Sequence, residues 1–142
     1  MTLQLTTDQI ARYWDVLKWV VAGAVDEPVD SNTLLGLLLA GKAQCWVSLN
    51  EERRIGLVGV TMLSSSPLSG EKDLLLYALV AQRRVPREEW EDAVRVLRTW
   101  ARKQGCRRVV AYSTLESVKN MVEKELGGSC AYFLTIPVEG GE

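Results

Sequence analysis

The sequence predicts an α/β fold built on a mixed sheet, in the order β-α-α-β-β-β-α-β-α-β. Three observations carry this expectation. Residues 73–81 form a near-continuous apolar run, followed by an amphipathic helical stretch and a short apolar strand at 107–112. A strand-helix-strand crossover of that length implies parallel pairing and a right-handed connection. Upstream, 43–49 and 54–63 are two β-rich runs separated by the polar turn Asn50–Arg53, which reads as a hairpin. Before the hairpin stand two helical stretches, so the chain enters the sheet from an αα pair.

Taken in order, residues 2–5 alternate and read as a short edge strand. Thr6 or Thr7 opens the first helix, and Thr6 to Gln9 has capping-box spacing. Ile10, Tyr13, Trp14, Leu17, Val20, Val21, Ala24 and Val25 share one helical face, and Pro28 ends the segment. Asp30 or Ser31 caps a second, leucine-rich helix that stops at Gly41. Within the hairpin, Gly56 and Gly59 mark a bulge or a close backbone approach. Pro86 stands in the first turn of the third helix, whose inner face carries Trp90, Ala93, Val94, Leu97 and Trp100, and Gly105 closes it. Ser113 or Thr114 caps a last helix with Val118, Met121, Val122 and Leu126 inward, ended by Gly127 and Gly128. Residues 129–138 read as the final strand. One domain over 1–138 and a flexible tail over 139–142 complete the reading.

Composition removes several function classes. Seventeen Lys and Arg stand against eighteen Asp and Glu, a formal charge of −1, so no global attraction to nucleic acid or anionic membrane is expected. Without histidine the chain lacks the commonest general base and metal ligand, and Ser-His-Asp or Cys-His catalysis is excluded. Cys45, Cys106 and Cys130 are scattered and odd in number, which reads as buried free thiols in a reducing compartment, with no metal site. The opening residues have neither the basic nor the apolar region of a signal peptide. No apolar run reaches membrane-spanning length, so the expected location is cytoplasmic. Trp14, Trp90 and Trp100 fall on core faces. Trp19 lies off the core face beside Lys18 and, with Val20 and Val21, is a candidate interaction surface; the alternative packs it against the second helix. Arg53–Arg54, Arg83–Arg84–Arg87 and Arg107–Arg108 are three basic clusters that can converge at sheet ends, without the aromatic interleaving that reads single strands.

The element order resembles the GNAT (N-acetyltransferase) superfamily over almost the whole chain. The matching pieces are the hairpin 46–60, the central strand 73–81, the helix exit 95–105 followed by Cys106 and a Val-Val strand, and the helix 118–127 ending in Leu126-Gly127. Within that superfamily the chain is most similar to the small, divergent GNAT-like proteins carried by bacteriophages. The resemblance implies that acetyl-CoA lies in a splay between the two parallel strands. Its pantetheine would hydrogen-bond to the backbone of Leu79, Val80 and Ala81. Its diphosphate would sit on amides of the following loop, at a helix N-terminus whose exposed N–H groups attract an anion.

Here the family's Q/R-x-x-G-x-G/A is replaced by Gln82-Arg83-Arg84-Val85-Pro86-Arg87, with the Gln and no glycine. Cβ atoms therefore crowd the approach to a phosphate. Glu88, Glu89 and Glu91 put carboxylates in the first turn, where they satisfy the helix dipole and repel a diphosphate. Against this, Arg83, Arg84 and Arg87 can clamp phosphates through their side chains. The tyrosine that many members carry one turn before the glycine falls at Glu123; Tyr112 and Ser113 are spare candidates for the acid. Among Glu51, Glu52, Glu71 and Asp73 no pair stands out as a base.

The first reading is a GNAT-fold protein with a degenerate acyl-CoA loop, not an enzyme, that binds no cofactor and acts by protein–protein interaction with a phage virion or host protein. Its alternative is an atypical acetyl-CoA-dependent N-acetyltransferase that meets the diphosphate with arginine side chains. A nucleic-acid-associated module is a third reading and stands only on the arginine clusters.

Overall fold

The computed structural model describes residues 1–25, 27–113 and 116–139. In chain order the elements are β1 (Thr2–Gln4), α1 (Thr7–Ala22), α2 (Ser31–Leu39), β2 (Ala43–Leu49), β3 (Ile55–Ser65), β4 (Lys72–Ala81), α3 (Arg87–Lys103), β5 (Cys106–Ala111) and α4 (Glu116–Lys124). The sheet has the strand order β1-β2-β3-β4-β5, antiparallel except for the parallel β4–β5 pair. This is the mixed sheet and the crossover that the sequence predicts, with α3 as the connecting helix. Residues Met1–Ala111 form one compact unit and Tyr112–Glu142 a second.

Local chemistry sets the helix ends. Thr6 and Gln9 complete the capping box of α1, with Thr6 Oγ1 accepting from the Gln9 amide at 3.2 Å and Gln9 Oε1 accepting from the Thr6 amide at 2.9 Å. Asp30 caps α2 by accepting from the amides of Asn32 and Thr33. These bonds favour its charged form and hold the carboxyl below its ordinary range. Gly41 and Gly105 take positive φ just past α2 and α3, the left-handed position that glycine occupies without strain. Helix α1 stops at Ala22, earlier than its apolar face suggests.

The two faces of the sheet differ in chemistry. Ala43, Cys45 and Val47 of β2 join Ile10, Trp14, Leu17 and Val21 of α1 and Leu34 and Leu38 of α2 in the apolar core. Burial pushes the Cys45 thiol up to about 11. The alternate positions Gln44, Trp46 and Ser48 face the other way and are also buried, as the period of two requires. On this side Trp46 stacks edge-to-face on Trp100 of α3, with centroids 5.5 Å apart. Trp46 Nε1 donates to Thr61 Oγ1 at 2.9 Å, and Thr61 Oγ1 donates to Gln44 Oε1 at 2.9 Å. Every buried polar atom in that chain is thereby served.

Two bulges interrupt the antiparallel ladders. Opposite β2, Val47 pairs with Val58 but Leu49 pairs with Ile55, so β3 carries an extra residue around Gly56, as its glycine predicts. Opposite β3, Ala78 pairs with Val60 but Leu76 pairs with Thr61. Tyr77 is the extra residue, and Tyr77 and Ala78 both pack toward the α1–α2 core.

Some expectations are corrected. Tyr13 is exposed rather than inward, while Val21 is buried and Val20 half-buried, so neither valine adds to an exposed surface around Trp19. Trp19 itself is 74% exposed and does not pack away against α2. Only Cys45 of the three thiols is fully buried. Arg107 and Arg108 do not converge with the other arginines. Both bond to Asp73 at the start of β4, and Arg107 also pairs with Glu71, roughly 25 Å along the strand from the loop after Ala81.

In the second unit, α4 ends with Gly127 at positive φ and the Gly128 amide on Val122 O at 2.9 Å, as expected. Residues 129–138 form no strand. Tyr132, Leu134, Ile136 and Val138 are each more than 80% exposed. β-branched and aromatic residues become a strand only when a ladder partner takes their backbone groups, and no such partner pairs with them among the described residues. The expected cap at Thr114 and most of the expected tail, 140–142, lie outside the described residues.

Candidate functional site

The parallel β4–β5 ladder runs from Lys72↔Cys106 to Leu76↔Ala111 and stops there. β4 continues to Ala81, paired only to β3. The break coincides with the bulge at Tyr77, so five residues of β4 present an edge that no strand covers among the described residues.

Backbone groups of successive strand residues point to alternate edges. The Gln82 amide donates to Gly56 O at 2.7 Å, and the Leu57 amide turns to β2, donating to Ser48 Oγ at 2.7 Å. Gln82 and Val80 therefore serve β3, while the N–H and C=O of Leu79 and Ala81 face the open edge. Of the three backbone contacts expected for pantetheine, Val80 is on the wrong side of the strand.

At the end of this edge the loop 82–86 is tied down by a buried polar cluster. Arg83 Nη2 donates to both carboxylate oxygens of Glu89, at 2.8 and 2.9 Å, and to Arg54 O at 3.0 Å. Arg83 Nη1 reaches Arg84 O at 3.3 Å. The Glu89 side chain is 6% exposed, and Ser48 Oγ donates to it from β2. Burial alone would push the Glu89 carboxyl up, but the Ser48 hydroxyl and the Arg83 guanidinium outweigh it and hold the group below its ordinary value. Gly56 makes room for the pair: a Cβ there would sit 2.8 Å from Arg83 Nη2 and overlap the Glu89 carboxylate.

This arrangement changes the expected roles of the loop. Arg83 is committed to Glu89 and is not a free phosphate clamp. Glu89 lies under the loop instead of capping α3, and no side chain caps that helix at Pro86. Arg87 pairs with Glu91 at 2.9 Å. Arg84 is exposed and its guanidinium makes no bond among the described residues, so it is the arginine available to an anion at this end. Gln82 is exposed beside it.

Sequence reasoning missed a second feature at the other end of the open edge. Tyr77 Oη donates to Glu27 Oε1 at 2.7 Å, joining β4 to the linker between α1 and α2. Burial and the Glu27 carboxylate push the phenol up to about 12. Glu27 is exposed, and its second oxygen has no partner among the described residues. In the second unit, Glu123 lies 4.0 Å from Lys119 as a half-exposed helix charge. Tyr112 is 70% exposed with its ring 4.9 Å from that of Phe133. No metal-binding group of His, Cys, Asp or Glu occurs among the described residues. No helix among them is long and apolar enough to cross a membrane.

No protein-family model matches the sequence, and no curated protein matches it. Solved structures do resemble its fold. An aminoglycoside acetyltransferase from an uncultured soil metagenomic sample is similar with a TM-score of 0.70 at 12% identity, over 99% of this chain and 98% of that one. A ribosomal-protein-alanine N-acetyltransferase from Brucella melitensis gives 0.65 at 11%, over 99% of both chains. An acetyltransferase from Trypanosoma brucei gives 0.63 at 13%, over 98% of both. The likeness is one of fold, and the fold is that of the GNAT acetyltransferases.

Proposed function

We propose that this chain is an acyl-CoA-dependent N-acyltransferase whose donor lies along the open edge of β4. The single observation that supports this is the end of β4–β5 pairing at the Tyr77 bulge, which leaves the backbone groups of Leu79 and Ala81 unclaimed by a strand. An extended pantetheine arm with its two amides is the kind of ligand such an edge binds, because it supplies donors and acceptors at strand spacing. At the loop the fit is different in kind. With no glycine and with Arg83 engaged, the diphosphate would meet the start of α3 and the Arg84 guanidinium rather than a cradle of amides. When bound, acetyl-CoA supplies an activated acyl carbon for attack by an amine; the chain supplies orientation and the polar groups around it.

Titration calorimetry with acetyl-CoA tests this. Binding in the range of about 1–100 μM is expected. Arg84→Ala weakens it about ten-fold, the worth of one charge-assisted contact. Leu79→Pro removes an outward N–H without removing a β3 ladder bond, and weakens binding while the protein stays folded. No detectable binding of acetyl-CoA by the folded wild type would end the proposal.

The second reading, a GNAT-fold protein that docks on another protein of phage or host origin, is favoured by the stripe Tyr13, Val16 and Trp19 on the outer face of α1, exposed by 53%, 65% and 74%. Its test is Trp19→Lys, which must abolish capture of one defined partner without changing the melting temperature.

A further inference from the structure

We propose that this chain forms a two-fold dimer in which residues 129–138 of each copy add a strand to the outer edge of β5 in the other. The inference stands apart from the N-acyltransferase reading. It uses the side of β5 turned away from β4, not the open stretch of β4 itself. It begins with a strand-like segment that lacks a sheet. From Ala111 to Glu139 no described residue is buried. The even positions of 129–138 share one apolar face, with Tyr132, Leu134, Ile136 and Val138 exposed by 96%, 82%, 89% and 99%. Phe133, on the opposite face, has its ring against that of Tyr112 at 4.9 Å, so the even face is the uncovered one. No charged residue occurs between Leu126 and Glu139. Segments that remain solvated are polar and charged, whereas an exposed apolar run of this kind marks a contact surface.

The sheet supplies the matching deficit. Of its two end strands, β1 has three residues, too short to hold a further strand, whereas β5 has six. The outer backbone groups of β5 meet no strand among the described residues. Val109 registers the gap: it pairs with Leu74, which is fully buried, yet is itself 38% exposed. Open edges are commonly guarded by charged side chains that refuse another strand. Here Arg107 and Arg108 are both bonded to Asp73, and Arg107 also to Glu71, so their charge is balanced within the sheet and does not oppose an uncharged segment. Pro137 removes one N–H near the end of the added strand, which an outermost strand tolerates.

One chain thus holds an edge without a strand and a strand without an edge. A two-fold axis satisfies both, in both copies, and closes the assembly. A different protein laid on β5 would still leave 129–138 bare, which is why a second copy is the occupant.

The experiment uses the whole chain. Light scattering after gel filtration gives the mass, and hydrogen exchange read by mass spectrometry gives the protected amides. At ~100 μM the chain is expected at twice its monomer mass; on dilution below ~1 μM the amides of 106–111 and 129–138 lose protection together, by about ten-fold or more. Leu134→Asp combined with Ile136→Asp changes two exposed positions, so the variant keeps the helical circular dichroism of the wild type and is monomeric. Trp19→Lys, on the outer face of α1, leaves the dimer intact. A monomer at ~100 μM overturns the proposal, as does a dimer that survives the double aspartate variant or one that Trp19→Lys breaks. Protection of 129–138 that persists in monomeric protein also overturns it, because the segment then pairs within its own chain.

Discussion

Replacing Arg83 by methionine isolates the contact that ties the loop after β4 to α3. Arg83 supplies the countercharge to a carboxylate that is 6% exposed, through bonds of 2.8 and 2.9 Å. Removing one partner of a fully buried pair costs ~3–5 kcal/mol, because the other charge is left uncompensated. Arg83 itself keeps 24% of its side-chain exposure, so water reaches the gap, and ~2–3 kcal/mol is the expected loss. For a chain of 142 residues, each kcal/mol moves the midpoint by ~3–4 °C, so the melting temperature falls by about 6–12 °C. Glu89→Gln keeps the Ser48 bond and strands only the half-accessible cation, so it costs less. The double substitution costs at least ~1 kcal/mol less than the two singles added, since the pair shares one interaction.

The pH dependence has a defined sign. The Glu89 carboxyl titrates below its ordinary 4.5 in the folded chain, so its contribution is complete above that value and is lost as pH falls through the folded one. The gap between the wild type and either single variant therefore narrows in acid. Urea denaturation at neutral and acidic pH measures both effects. An Arg83→Met penalty under ~0.5 kcal/mol, strict additivity in the double variant, or a gap that does not change with pH would refute the reasoning.

Further outcomes follow from the same structure. Gly56→Ala places a methyl group against the Arg83–Glu89 pair and destabilises by ~1–3 kcal/mol; in a Glu89→Ala background most of that penalty disappears. Thr61→Val strands Trp46 Nε1 and Gln44 Oε1 in the sheet interior and costs ~2–3 kcal/mol in urea denaturation. Ultraviolet titration resolves one tyrosine near 12, and Glu27→Gln returns it toward its ordinary value. Because the raised phenol binds its proton more tightly when folded, stability is complete below pH ~10 and declines toward 12, a decline that Tyr77→Phe reduces.

Most of the fold was legible because each element announces itself over a few residues. The capping box at Thr6, the period-two run at 43–49 and the apolar central strand are local signals, and Gly56 marked its own bulge. The open edge was only half legible. A parallel pair follows from the crossover helix, but the point where it parts depends on an extra residue at Tyr77, and register between strands leaves no mark in either strand alone. The engagement of Arg83 by Glu89 was hidden for a similar reason. Three glutamates in a first turn all read alike as satisfying the helix dipole, and only the rotation of α3 over β2 decides that Glu89 goes under, where Ser48 waits. Tyr77 and Glu27 lie 50 positions apart, and no pattern in the sequence joins them. Residues 129–138 show the opposite failure, a strong β composition without a neighbour to pair with.

The segment after Ala81 is held on three sides: by the Gln82 amide on Gly56, by Arg83 on the carbonyl of Arg54, and by Glu89 on Ser48. A rim fastened in that way does not swing, so it cannot act as a flap that shuts over a guest and reopens to release it. Whatever occupies the groove slides in along an exposed border and meets a template already set. Recognition there is paid for in shape rather than in motion, and exchange is governed by the strength of the fit, not by the opening of a door.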